Sequence, residues 1–166
     1  MKRSTLFLGL AAFVSFVPAV FAQTTVTVSG TCAKADVQQS LPAGDSDGHI
    51  YGIAQGKCTA HVETAGVTSE GSTFSEHREI TPTAYKGWGT YVENYANGDK
   101  VVYSFSITLP IKNGALQPGS GTNRATFGTG KLKGIKASGK CAYSPHPDNS
   151  VDYKCEKIYQ LPASAK

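Results

Sequence analysis

Beyond residue 23 the chain alternates hydrophobic and polar residues, and no apolar stripe recurs at helical spacing. The clearest segment is "VVYSFSITL". Val101, Tyr103, Phe105, Ile107 and Leu109 fall on one face of an extended strand, and Val102, Ser104, Ser106 and Thr108 on the other. One face is therefore apolar and the other wet. The same period predicts strands in "TTVTVSGTCA", in "HIYGIAQGKCTAHVE" (49–63), in "STFSEHREIT" and in "WGTYVENYA". Further strands are predicted in "TNRATFG", "KGIKASGKCAYS" and "VDYKCEKIYQL". "NGDK", Asn97 to Lys100, is a hairpin turn; "LPAGDSDG" (41–48), "PIKNGALQPGSG" and "PHPDNS" read as connections. About eight short strands at even spacing predict one all-β domain over 23–166, a barrel or a sandwich.

The first residues do not belong to that pattern. Lys2 and Arg3 precede an apolar run from Leu6 to Val17 that ends in small residues, the arrangement of a secretory signal cleaved after Ala22. Pro18 interrupts the run short of the ~20 apolar residues that a membrane span needs. The domains expected are thus a signal peptide at 1–22 and a barrel domain at 23–166, in a protein that is periplasmic or secreted. Loss of Lys2 and Arg3 leaves 14 basic against 12 acidic residues, a net charge of +2. That gives nucleic-acid binding little electrostatic footing. An outer-membrane barrel would share the alternation. The chain, however, ends "QLPASAK" without a terminal aromatic residue, and several strands lack an apolar lipid-facing band, so no stable membrane insertion is expected.

Export permits disulfides. Cys32, Cys58, Cys141 and Cys155 allow three pairings, among which sequence alone does not choose. Cys32 with Cys58 and Cys141 with Cys155 would join successive predicted strands, the shorter loop contributing ~3 kcal/mol in the chain-entropy model. A zinc site made of all four lacks any C-x-x-C knuckle. No metal and no cofactor is expected.

"FGTGKLKGIKASGKC", Phe127 to Cys141, invites reading as a phosphate loop. Leu132 stands where a P-loop needs Ser or Thr after the lysine, and Gly128, Gly130 and Gly134 miss the dinucleotide spacing. The glycines fall where one strand ends and the next begins, so a barrel corner is expected, with the lysines in solvent between Leu132 and Ile135. The segment "GTGKLKGIKASGKCAY" (128–143) resembles the glycine-lysine element of small exported bacterial proteins with an allene oxide cyclase-like barrel. Ala137 and Lys140 depart from the residues common there. "VSGTC", "NGDKVVYSFS" and "VDYKCEKIYQL" stand in the order that resemblance implies. What it implies is a closed antiparallel eight-stranded barrel of the calycin-like kind. It carries no catalytic residue to a position in this chain.

A barrel of that size fills its interior or holds one small ligand. Tyr103, Phe105 and Ile107, with Tyr91 and Tyr95 from the preceding strand, are the candidate lining residues. In "SEHRE", Ser75, His77 and Glu79 share one face and Glu76 and Arg78 the other. His77 beside Glu79 would make an acid–base pair if that face turned inward. His49 and His61 lie near the two ends of one predicted strand, and His146 sits between two prolines. Asp45, Asp47 and Gly48 lack the remaining positions of a calcium loop, and no H-E-x-x-H or G-x-S-x-G motif is present. The expectation is an exported barrel that binds a small apolar or amphipathic molecule. The alternatives are a cyclase or isomerase using His77 or Glu79, and an interaction protein using the loops at 34–47 and 110–121. Ligand identity and oligomeric state stay open.

Overall fold

The computed structural model describes residues 23–60 and 62–161. The expected signal peptide at 1–22, His61 and the last five residues lie outside the described residues. Within them the fold is all-β. The strands are β1 (Thr24–Cys32), β2 (Val37–Pro42), β3 (Ile50–Cys58), β4 (Glu63–Thr64), β5 (Val67–Ile80) and β6 (Ala84–Tyr95). They continue with β7 (Lys100–Lys112), β8 (Ala115–Leu116), β9 (Gly119–Gly128), β10 (Lys136–Pro145) and β11 (Val151–Gln160). A single 3₁₀ turn, Gly130–Leu132, stands before β10. No helix of the described residues is long and apolar enough to cross a membrane, which says nothing of strands.

Antiparallel pairing runs β3–β1–β11–β10–β9–β7–β6–β5 and returns to β3, so the sheet is ring-like. β2 pairs with β3, β4 with β5 and β8 with β7, beside that path. The ladders differ greatly in length. β1 pairs with β11 from Thr24↔Tyr159 to Cys32↔Val151, but meets β3 at one residue pair, Cys32↔Cys58. Beyond Cys32 the chain breaks from the ladder over 33–36 and resumes along β3 as β2. β2 is exposed throughout and carries no alternating pattern, so the expectation of loop around Leu41 missed it.

The two disulfides are Cys32–Cys58 and Cys141–Cys155, the pairing favoured by successive strands. They fit an oxidising, exported environment. Cys141 and Cys155 face each other directly across β10 and β11.

The glycine-lysine stretch is a corner. Gly130 and Gly134 have φ of 47° and 76°, the left-handed region that glycine tolerates. Leu132 and Ile135 are buried, and Lys131, Lys133, Lys136 and Lys140 are exposed. The Lys131 amide donates to Asp99 Oδ2 at 3.0 Å, so a carboxylate of this chain takes the place an anion would have. That corner seals one end of the ring. Tyr95, Val101, Tyr103, Leu132, Ile135 and Ala137 form the core there.

Strand β5 changes its inward parity once. Ser69 pairs with Tyr95 and Gly71 with Asn94, so the bulge inserts one residue, and the buried side passes from Val67 and Ser69 to Ser72, Phe74, Glu76 and Arg78.

Candidate functional site

Away from the corner the ring encloses a cavity of about 310 Å³. Its walls are aromatic and aliphatic: Phe74 from β5, Tyr91 from β6, Phe105 and Ile107 from β7, Tyr143 from β10 and Tyr153 from β11. Ile107 stands between Gly87 and Gly121, and Phe105 between Gly89 and Asn123. The glycines admit groups from further round the ring, since a Cβ on Gly87 would collide with Glu76 Oε1 and one on Gly121 would press on the Tyr143 ring. The exposed lining residues Ala33, Lys34, Gln38 and Asn149 place the mouth between the 33–36 break and the turn joining β10 to β11.

Two polar clusters occupy the chamber. Near the mouth, Arg78 Nε donates to Glu76 Oε2 at 3.0 Å and its Nη1 to Gln38 Oε1 at 3.1 Å. Tyr85 donates its hydroxyl to Glu76 Oε1 at 2.7 Å. At the floor, Lys157 Nζ lies 3.3 Å from Glu93 Oε2, with both side chains buried. The Lys157 ammonium also stands 4.4 Å from the Tyr103 ring centroid and 5.4 Å from that of Tyr91, within the range of cation–π attraction. Each interior carboxylate thus has its own cation, and the two pairs cancel in charge. Asn123 directs its amide N–H at Cys141 Sγ, 3.2 Å away.

The phenols are held protonated. Burial raises Tyr143 to about 12, with the Glu76 charge adding to it. Tyr85 goes up through burial and then Glu76, against the pull of Arg78. Tyr91 rises through burial and then Tyr103, and Tyr153 through burial and then Glu93. A neutral phenol both donates and accepts, so these walls offer hydrogen bonds without adding charge.

No family model matches the chain, and no curated protein matches it significantly. Solved structures do. A conserved protein of unknown function from Rhodopseudomonas palustris has a TM-score of 0.50 at 12% identity, over 82% of this chain and 98% of that one. The pterocarpan synthase dirigent protein GePTS1 has a TM-score of 0.46 at 8% identity, over 92% and 100%. The pterocarpan synthase dirigent protein PsPTS1 follows at 0.44 and 8%, over 84% and 95%. The likeness is one of fold: a related β-barrel.

Of the expected lining residues, Tyr91, Phe105 and Ile107 border the cavity. Tyr103 and Tyr95 are buried in the core beneath it, Tyr103 stacked on Tyr91 at 4.7 Å between centroids. The condition placed on His77 and Glu79 is not met, because their face of β5 turns outward. His77 is exposed and stacks on Trp88 at 6.0 Å, and Glu79 meets Lys86 at 3.1 Å and His49 at 3.4 Å. His49 also meets Asp45 at 2.8 Å. His146 pairs with Asp152 at 2.9 Å in the turn after β10. Among the described residues no three His, Cys, Asp or Glu side chains gather as metal ligands would.

The chamber's charged residues were not among the expected ones, yet their parity pointed to them. Glu93 lies between Tyr91 and Tyr95 on one face of "YVENY", and Lys157 shares the face of Cys155. Glu76 and Arg78 are the other side of "SEHRE".

Proposed function

We propose that this protein binds one small apolar or amphipathic molecule inside its ring, read as a closed eight-stranded barrel of the calycin-like, allene oxide cyclase-like class. The observation that carries the proposal is the cavity of about 310 Å³, walled largely by aromatic rings, with its charged groups paired in two clusters. That combination and size are those of small-molecule pockets. Burial of apolar ligand surface would contribute ~25 cal/mol per Å², with tyrosine hydroxyls orienting the molecule. A filled interior would have favoured an interaction protein instead.

Native mass spectrometry of the mature protein, purified from the export compartment of its own host and then extracted under denaturing conditions, tests the proposal. A released small molecule is expected. A ligand-free mass, together with no displacement of an environment-sensitive apolar dye by a broad panel of hydrophobic compounds, would sink it.

A second reading, a cyclase or isomerase, draws on one observation. An inward carboxylate, Glu76, accepts the Tyr85 hydroxyl at 2.7 Å beside the apolar walls. In that reading Glu76 takes the role expected of His77 or Glu79. Turnover of the released molecule by wild type but not by Glu76→Gln would favour it.

A further inference from the structure

We propose that the Cys32–Cys58 disulfide is a redox-sensitive clasp, which opens the chamber when a dithiol reductant cleaves it. The two bridges occupy different surroundings. Cys141 and Cys155 are 5% and 2% exposed and lie along a ladder that runs from Lys136↔Gln160 to Pro145↔Val151. Cys32 and Cys58 are half-buried and border the cavity, as Cys155 also does from its buried position. Their bridge sits on the one residue pair by which β1 meets β3.

The chain crosses that seam through 33–36 into β2, which pairs with β3 from Val37↔Gln55 to Pro42↔Ile50, but few other contacts join β1 itself to β3. The Ala33 amide donates to Lys57 O at 3.0 Å, and the Thr59 amide to Thr31 O at 2.9 Å. The Thr31 amide donates to Thr59 Oγ1 at 3.1 Å, and Tyr153 donates its hydroxyl to Thr59 O at 2.7 Å. On either side the strands are firmly seated: β1 along all of β11, and β3 along β5 from Ile50↔Ile80 to Cys58↔Ser72. With the bridge cut, β1 stays with β11, and β3 stays with β5 and β2, so the opening is confined to 31–36 and 57–59. The 33–36 linker, which forms one lip of the mouth, then spans a seam held by a handful of hydrogen bonds. Edges secured so lightly open locally long before the whole domain unfolds.

The chemistry is thiol–disulfide exchange. A thiolate of the reductant attacks one of the two sulfurs, the Sγ–Sγ bond breaks, and a mixed disulfide forms. The reductant's second thiolate attacks its own sulfur in the mixed disulfide, which expels the other protein thiolate and leaves the reductant as a cyclic disulfide. Two electrons pass to the protein, and its two thiolates take up two protons. Access favours the half-buried pair, because the attacking thiolate must approach along the S–S axis. The proposal concerns entry to the chamber and holds whatever molecule enters.

The test is graded reduction of the native, oxidised chain with dithiothreitol, read in three ways. Alkylation mapped by mass spectrometry is expected to label Cys32 and Cys58 at dithiol concentrations that leave Cys141 and Cys155 intact. Amide exchange at 31–36 and 57–59 should accelerate at least tenfold in that state, with β10 and β11 unchanged. Acetylation of Lys157 at the chamber floor by sulfo-NHS-acetate should also quicken at least tenfold. Cys32→Ser/Cys58→Ser should reproduce the opened state without reductant, and Cys141→Ser/Cys155→Ser should not. Simultaneous labelling of all four cysteines would overturn the proposal, as would full protection of the seam amides after selective reduction or an unchanged Lys157 rate. If the Ser variant does not fold, the reduced native chain still decides the matter.

Discussion

The two ends of the ring are built from the same strands and behave oppositely. At the corner end, Val101 and Tyr103 of β7 pack in one buried cluster with Tyr95, Leu132 and Ile135. Two residues further along the same face, Phe105 and Ile107 border a cavity. The difference does not lie in β7. Tyr103 packs in one cluster with Leu132 and Ile135 of the 3₁₀ corner, whereas Ile107 stands between two glycines over which Glu76 and Tyr143 reach in from other strands. Alternation decides which side chains point inward; what folds over them at each end decides whether the interior is full.

Alkaline pH gives the largest way to press on that contrast. Burial raises the phenols at both ends, foremost Tyr103 and Tyr95 in the core and Tyr85, Tyr143 and Tyr153 around the chamber. A raised folded value means that the unfolded chain loses these protons first, near pH 10. Their contribution to stability is therefore complete below pH 10 and declines as pH rises toward the folded values. Each phenol adds a slope of about 1.4 kcal/mol per pH unit in that window. Phenolate absorbance should thus appear with cooperative unfolding above pH 10. Tyr143, raised only to about 12, should be the first of these to ionise in place, and Tyr143→Phe should remove that early part of the rise.

Core truncation tests packing directly. Leu132→Ala at the sealed end should cost about 3–5 kcal/mol in denaturant unfolding, because nothing there can relax into the void. Ile107→Ala should cost about 2 kcal/mol, since its side chain already borders open volume. Equal losses would mean that the chamber is as tightly packed as the floor. Lys157→Met should cost about 3 kcal/mol by leaving Glu93 buried and unpaired, and Glu93→Leu added to it should recover most of the loss. On the outer face His77→Ala should stay within ~0.5 kcal/mol and leave ligand binding unchanged. A large effect on binding would return His77 to the candidate site.

Much of this architecture was legible. The alternation in "VVYSFSITL" and the "NGDK" turn correspond to β7 and its hairpin, and the glycine-lysine stretch is the corner its punctuation suggested. Two features were not, for physical reasons. Strand β2 is exposed on every residue, so burial imposes no period on it. The inward face of "SEHRE" could not be chosen because it carries a charge pair on one side and a histidine and carboxylate on the other. Local polarity does not distinguish them. Only the ion pair between Glu76 and Arg78, completed by Tyr85 and Gln38, makes the inward choice tolerable.

The bulge at Ser69 and Gly71 has a bearing on descent as well as on architecture. The loss of one codon at Glu70 would only turn the bulge into a regular ladder, with Gly71 opposite Asn94, Ser72 opposite Glu93 and the inward face unchanged. Because strand side chains alternate, the loss of one codon at Thr73 would instead exchange the two faces beyond it: Phe74, Glu76 and Arg78 would leave the interior, and Ser75, His77 and Glu79 would replace them. The bulge is thus a place where a lineage can shed a residue and keep what the ring encloses, while the same event a few positions on rewrites it at a stroke.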